Sequence, residues 1–166
     1  MAIFMTLLAV AVLVAVDQLV KVWAVTSLAS VGTIPLIPDV LQLTYVENRG
    51  AAFNLLENHQ WVFILFAFVV IGVICAALLR GYAQTVVGRL ALVLICAGAV
   101  GNLIDRIFRN FVVDMIHFTL IDFPVFNIAD ICIVCGCILG CIYYLWFYET
   151  HDKRGKPDGK AEPDHN

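Results

Sequence analysis

Four stretches of the chain, at about 3–26, 61–79, 87–108 and 127–148, are apolar almost without interruption, and polar residues gather between them. A membrane-spanning helix needs about 20 apolar residues. Only helices and closed barrels cross lipid, and runs of this length exclude barrel strands. The pattern predicts an all-α membrane protein, a four-transmembrane-helix bundle within one domain at 1–150. The polar, Gly- and Pro-containing end at 151–166 reads as a disordered tail. Between the first two spans, "VLQLTYVEN" alternates, with Leu41, Leu43 and Tyr45 on one side and Gln42 and Thr44 on the other. Period two predicts a half-buried strand, so a small β-cradle in the first outer loop, lying on the membrane surface, is expected. Gly50 allows a turn after it. The second outer loop, "FVVDMIHFTLIDFPVF", is too apolar for a solvated loop and is expected to pack into the headgroup region.

Composition agrees: 62% of the 166 residues are hydrophobic and 14% charged, against about 25% charged in a soluble domain. No basic patch with interleaved aromatics points to nucleic acid. The N-terminal stretch lacks a basic n-region and is longer than the apolar core of a cleaved signal peptide, so it reads as a retained span. All six cysteines lie in apolar runs. Cys132, Cys135, Cys137 and Cys141 approach metal-ligand spacing but have no flanking loops or nearby His, so buried filling is expected and no metal. Four spans put both termini on one side. Arg80, Arg89 and the basic residues of the tail make that side cytoplasmic, against Arg49, Arg106 and Arg109 on the other.

Charged residues within spans are costly and mark candidate sites. Asp17 and Lys21 stand at i and i+4 in the first span; Asn102 and Arg106 do so in the third, with Asp105 between them. Asp114 follows the third span and Asp130 begins the fourth. At 1.5 Å per residue, Lys21 lies roughly 27 Å along its span and Asn102 roughly 22 Å along its own. Helix direction then brings Asp17, Lys21, Asn102, Arg106, Asp114, Asp130 and Asn48 to one depth near the outer boundary. Each also has a structural reading. Asp17 and Lys21 can form an interfacial ion pair with Lys21 snorkelling. Arg106 can complement a helix C-terminus and meet lipid phosphate. Asn127 and Asp130 have N-cap and N3 spacing. Asp114 can be a solvated loop residue. Asp39 and Asp122 read as turn residues, and the four histidines show no ligand spacing.

Hydrolysis at a membrane is one chemistry that such residues support. The only serines are Ser27 and Ser30; Ser27 lies roughly 240° around a helix from Lys21, which disfavours a Ser–Lys mechanism. No HExxH motif or His/Cys/carboxylate cluster suggests zinc, and the apolar cysteines lack a base. Two carboxylates remain, and an aspartic dyad needs neither metal nor cofactor. Asp114 and Asp130 flank one loop that can fold back on itself. Two rivals stand beside this reading, a proton- or ion-coupled transport protein and a non-catalytic assembly factor. A transporter should carry polar groups at the midplane and on both sides.

Five motifs, "DQLVK" at 17–21, "NRGAAF" at 48–53, "GNLIDR" at 101–106, "VVDM" at 112–115 and "FNIAD" at 126–130, resemble in order those of the lipoprotein signal peptidases (signal peptidase II). The resemblance implies a four-helix bundle with an outer cradle of strands, in the bacterial inner membrane. It implies cleavage of diacylglyceryl-modified prolipoproteins before the lipidated cysteine, with Asp114 and Asp130 as the dyad. Asp17, Lys21, Asn48, Gly50, Asn102, Arg106, Asn127 and Ala129 fall at motif positions and would support the site, with Asp105 inside the same motif as Arg106. Met115 departs from the pattern, since many members have Phe there. The partners expected are a lipid-modified prolipoprotein and the phospholipid membrane, with the enzyme a monomer.

Overall fold

The structure, a computed structural model, describes residues 2–50, 59–82 and 85–145. Residues 51–53 of the "NRGAAF" motif, the expected span beyond Leu145 and the tail at 151–166 lie outside the described residues. The first helix, α1 (Ala2–Trp23), continues through a π-helical turn (Ala24–Leu28) into α2 (Ala29–Val31). It therefore runs past residue 26, where the apolar run alone had placed its end. Gly32 stops it, at a φ of 83° that only glycine adopts freely. After strands β1 (Thr33–Ile37) and β2 (Leu41–Asn48) come α3 (Gln60–Leu79) and α4 (Val86–Arg109). Thr85 caps α4 by accepting from the Gly88 N–H at 3.1 Å. Asn110, left-handed at φ 62°, ends it. Strand β3 (Val112–Phe118) and α5 (Ile128–Ile142) complete the fold. The helices based on α1, α3, α4 and α5 are each long and apolar enough to cross a membrane. Large apolar side chains such as Leu19, Val73, Phe108 and Val134 point outward, as expected where the surrounding solvent is lipid.

Helix α4 is the centre of the bundle and packs on α1, α3 and α5. Its seam with α5 is built from small residues, which is how helices approach closely in lipid. A Cβ on Gly98 would lie 2.3 Å from the Ala129 carbonyl oxygen, and one on Gly136 would lie 2.9 Å from that of Ala91. Neither position accepts a side chain without moving a backbone. The cysteines do not fill this core as expected. Cys132 is buried, Cys96 is half-buried, and Cys75, Cys135, Cys137 and Cys141 are exposed on the helix flanks as free thiols.

The strands form one antiparallel sheet in the order β1-β2-β3. It draws on two loops, not on the one after the first span alone, because β3 lies between the third and fourth spans. Pro35 sits on the edge strand β1, where its missing N–H leaves no ladder bond unmade. Beneath the sheet, Ala24 and Leu28 of the π-helical turn pack against Val113 and Met115. Met115, next to Asp114 in the strand, is thus part of the apolar packing under the sheet.

The register of β2 slips between Leu43 and Val46: Leu43 pairs with Ile116, and Val46 pairs with Asp114. Three residues on β2 span two on β3, which is a bulge. Directly paired residues point to the same face. Strict alternation from Leu43 would have placed Glu47, not Asn48, on the face of Asp114. The bulge reverses the phase and delivers Asn48 there.

Candidate active site

Three elements meet at one end of the α4–α5 seam. Asp114 comes from β3, Asp130 from the first turn of α5 and Asn102 from α4. Asn127, just before α5, connects them. Its Oδ1 accepts from the Asp130 N–H at 3.0 Å, and its own N–H donates to Asp130 Oδ2 at 3.2 Å, a reciprocal capping box. Its Nδ2 donates to Asp114 Oδ1 at 2.6 Å and to Asn102 Oδ1 at 3.2 Å. Capping of α5 at Asp130 and contact with Asp114 are therefore simultaneous, since they use different atoms of Asn127. Asn48 Nδ2 donates to Asp114 Oδ2 at 2.9 Å, and Asn102 Nδ2 donates to Asp130 Oδ1 at 2.7 Å. Each of the four carboxylate oxygens thus receives one hydrogen bond from a neutral amide.

A second layer lies beneath this one. Lys21 is fully buried and donates to Asp17 at 3.0 Å, Asp105 at 2.9 Å and Asn102 Oδ1 at 3.0 Å. These contacts occupy all three ammonium protons, so Lys21 does not snorkel. Its bond to Asn102 Oδ1 also fixes which way that carboxamide points, with the NH2 toward Asp130. Asp17 accepts from the Ala129 N–H at 3.0 Å, an otherwise orphaned donor in the first turn of α5. Asp105 ion-pairs with Arg109 and accepts from the Val113 N–H at 3.2 Å, which anchors the start of β3. Gln18 donates to Asp17 at 3.2 Å and to the Gly101 carbonyl at 3.1 Å. Gly101 must be small, because a Cβ there would lie 2.6 Å from Asp17 Oδ2.

The upper layer opens on a cavity of about 530 Å3. Asn48, Gly50, Asn102, Arg106 and Asp130 line its polar end; Phe63, Phe66, Val70, Ile95 and Ile133 line its apolar walls. The Gly50 N–H donates to Asn48 Oδ1 at 3.0 Å and holds that side chain in place. Asp130 faces the cavity, whereas Asp114 is 1% exposed behind it. Burial, and then the charge of Asp130, push the Asp114 carboxyl up to about 7, against the opposing hydrogen bonds of Asn48 and Asn127. Arg106 reaches the cavity and lies over the Phe63 ring, 4.8 Å from its centroid.

The site residues expected from the sequence thus come together: all but Arg106 are joined by hydrogen bonds or ion pairs in two connected layers, and Arg106 lines the cavity beside them. Asp17, Lys21 and Asp105 form the lower one, away from the cavity. Gln18, Arg109 and Phe63 were not singled out. Gln18 lies within "DQLVK", and Arg109 stands at i+4 from Asp105, a spacing that could have flagged it. Among the described residues, no His, Cys, Asp or Glu side chains are grouped as a metal site.

The family model for Signal peptidase (SPase) II matches residues 9–147. The lipoprotein signal peptidase of Clostridioides difficile (strain 630) is 48% identical over 141 residues, covering 85% of this chain and 95% of that protein. That of Streptococcus pyogenes serotype M5 (strain Manfredo) is 40% identical over 144 residues, covering 87% and 94%. Among solved structures, a bacterial membrane enzyme determined by the in meso method at 2.3 Å resolution matches with a TM-score of 0.80 at 29% identity, covering 93% of this chain and 94% of that one. A second, at 1.9 Å resolution, matches with a TM-score of 0.79 at 30% identity, covering 87% and 95%. The chain belongs to the signal peptidase II family, the aspartic peptidases that remove signal peptides from prolipoproteins.

Proposed function

We propose that Asp114 and Asp130 are the catalytic pair of this peptidase, sharing one proton and cleaving the peptide bond with water, without metal or cofactor. The observation that carries this reading is their linkage through Asn127 at the polar end of an otherwise apolar cavity. Among the described residues, the hydrogen bonds to the pair come from neutral amides, and no bonded cation forces both acids to ionise. The raised Asp114 carboxyl keeps a proton within the pair near neutrality.

In the reaction the ionised carboxylate takes a proton from water as the water oxygen bonds to the scissile carbonyl carbon. The protonated carboxyl gives its proton to the carbonyl oxygen. Collapse of the diol returns one hydroxyl proton to that carboxylate and breaks the C–N bond. The leaving amine takes the proton first drawn from water. Asn48, Asn102 and Asn127 orient the pair; Asp17, Lys21, Asp105, Gly50 and Ala129 hold those amides and helix ends in place.

The substrate we infer carries a diacylglyceryl group on its cysteine and is cut just before that residue. Its signal helix and acyl chains would sit in lipid and against the apolar cavity walls. Such anchoring holds the bond at the dyad and lowers the entropic cost of reaction. We assign residues 1–150 to one peptidase domain and 151–166 to a cytoplasmic tail. Both termini are then cytoplasmic and the cavity mouth is at the outer face of the bacterial inner membrane, with Arg80 and Arg89 inside. Transport is less well supported, since the polar groups gather at one end of the bundle. The test offers the purified protein one prolipoprotein with and without its diacylglyceryl group. Product masses should give a new N-terminus at the cysteine from the lipidated form alone. Equal cleavage of both forms, or cleavage at another bond, would contradict the proposal.

A further inference from the structure

Arg106 brings a full charge to a cavity that holds Asp130 and lies before Asp114. Yet among the described residues no carboxylate comes within ion-pairing distance of it. Its Nε is buried and has no hydrogen-bond partner among the described residues. The contact it does make is with Phe63, whose ring centroid is 4.8 Å from the guanidinium carbon. Phe63 comes from α3, a helix with no charged residue along its length and none of the motif positions. A cation over a ring face gains roughly 0.5–2 kcal/mol, most when desolvated. That is enough to choose between two positions of a side chain.

We propose that Phe63 is a positioning residue for cleavage: its ring holds the Arg106 guanidinium across the cavity, off the carboxylates, with the Nε–H kept for a carbonyl oxygen of the bound prolipoprotein. This rests on the dyad reading above. A dyad sharing one proton carries a single negative charge, and a cation at a short remove balances it. The same cation in contact with Asp130 would favour ionisation of both acids and remove the proton that the carbonyl oxygen needs. The other charged groups nearby are already engaged. Lys21 of α1 is held by Asp17 and Asp105, Asp105 of α4 also pairs with Arg109, and Glu47 of β2 pairs with Arg49. Asp114 of β3 and Asp130 of α5 are the dyad itself, and α3 contributes only the ring. Arg49 also lies over a ring, that of Phe111, but is paired with Glu47; among the described residues Arg106 meets an aromatic face with no carboxylate within ion-pairing distance.

The test compares Phe63→Leu and Phe63→Tyr with the wild type, as purified full-length protein cleaving a lipidated prolipoprotein across a range of pH. Removing the ring should lower kcat/KM by about tenfold, and the alkaline limb of the pH profile should move to lower pH. Phe63→Tyr keeps the ring face and should stay within about twofold of wild type with the limb unmoved. Should Phe63→Leu not fold, Phe63→Met serves as a second ring-free side chain with the same expectations. Wild-type kinetics in a folded ring-free variant would overturn the proposal. So would a loss with an unmoved alkaline limb, or one that Tyr does not restore, because either marks packing alone. Asp114→Asn and Asp130→Asn are assayed alongside. If they still cleave, it is the dyad that fails; if they are inert while the ring-free variant is normal, only the role of Phe63 fails.

Discussion

On the proposed reading of the dyad, Asp114 is the residue whose surroundings set the pH dependence of cleavage. Burial raises its carboxyl to about 7, and the neighbouring charge of Asp130 adds to the shift. Cleavage that needs a proton within the pair should fall as pH rises through about 7, and a pH–rate profile checks this. Stability follows the same sign. The folded state holds this proton more tightly than the unfolded chain, whose ordinary value is 3.8. The contribution of Asp114 to stability is fully present below that value and is lost as pH rises through about 7. Asp114→Asn carries no such charge, so its melting temperature should gain on wild type between pH 5 and pH 8. A constant difference would mean that the carboxyl is not held protonated. Much at this level was legible in the sequence. Asp17, Lys21, Asn102, Asp114 and Asp130 were conspicuous as polar residues in or beside apolar runs. Phe63 was invisible for the opposite reason, being one more aromatic in an apolar helix; only packing between helices gives it a charged neighbour.

The spans could be read from hydropathy because lipid imposes length and composition on a helix. The strands were harder. In β3, Val112, Val113, Asp114 and Met115 are all buried, so the alternation that betrays a half-buried strand is missing. In β2 the alternation is present, but the bulge breaks its phase before Asn48. The start of the loop after the first span was misjudged because the helix continues through Thr26, Ser27 and Ser30; the Thr26 hydroxyl bonds to the Val22 carbonyl and the Ser30 hydroxyl to the Ser27 carbonyl. The seam between α4 and α5 makes its own prediction. Gly101→Ala would press a methyl against Asp17, and Gly98→Ala would press one against the Ala129 carbonyl. Each should destabilise the protein by about 1–3 kcal/mol, read as a lower melting temperature, with reduced cleavage for Gly101→Ala. Gly72→Ala on α3 meets nothing within 4 Å and should match wild type. Equal behaviour of all three would mean that the helices are not so closely opposed.

The fold places a polar, two-layered site at one end of a bundle whose flanks are apolar. The lower layer pairs Lys21 and Arg109 with Asp17 and Asp105, so its formal charges cancel. The upper layer is left with two acids, three asparagines and Arg106, which balances charge if the acids share one proton. Removing one partner of a buried ion pair costs about 3–5 kcal/mol, so the lower layer ties α1, α4 and α5 into a single frame for the upper one. The most direct measurement is cleavage of a lipidated prolipoprotein by purified Asp114→Asn and Asp130→Asn, each checked for an intact fold by its melting curve. Both should be folded and inactive, because neither can supply a shared proton and a carboxylate base together. Turnover near the wild-type rate in either variant would contradict the assignment of the dyad.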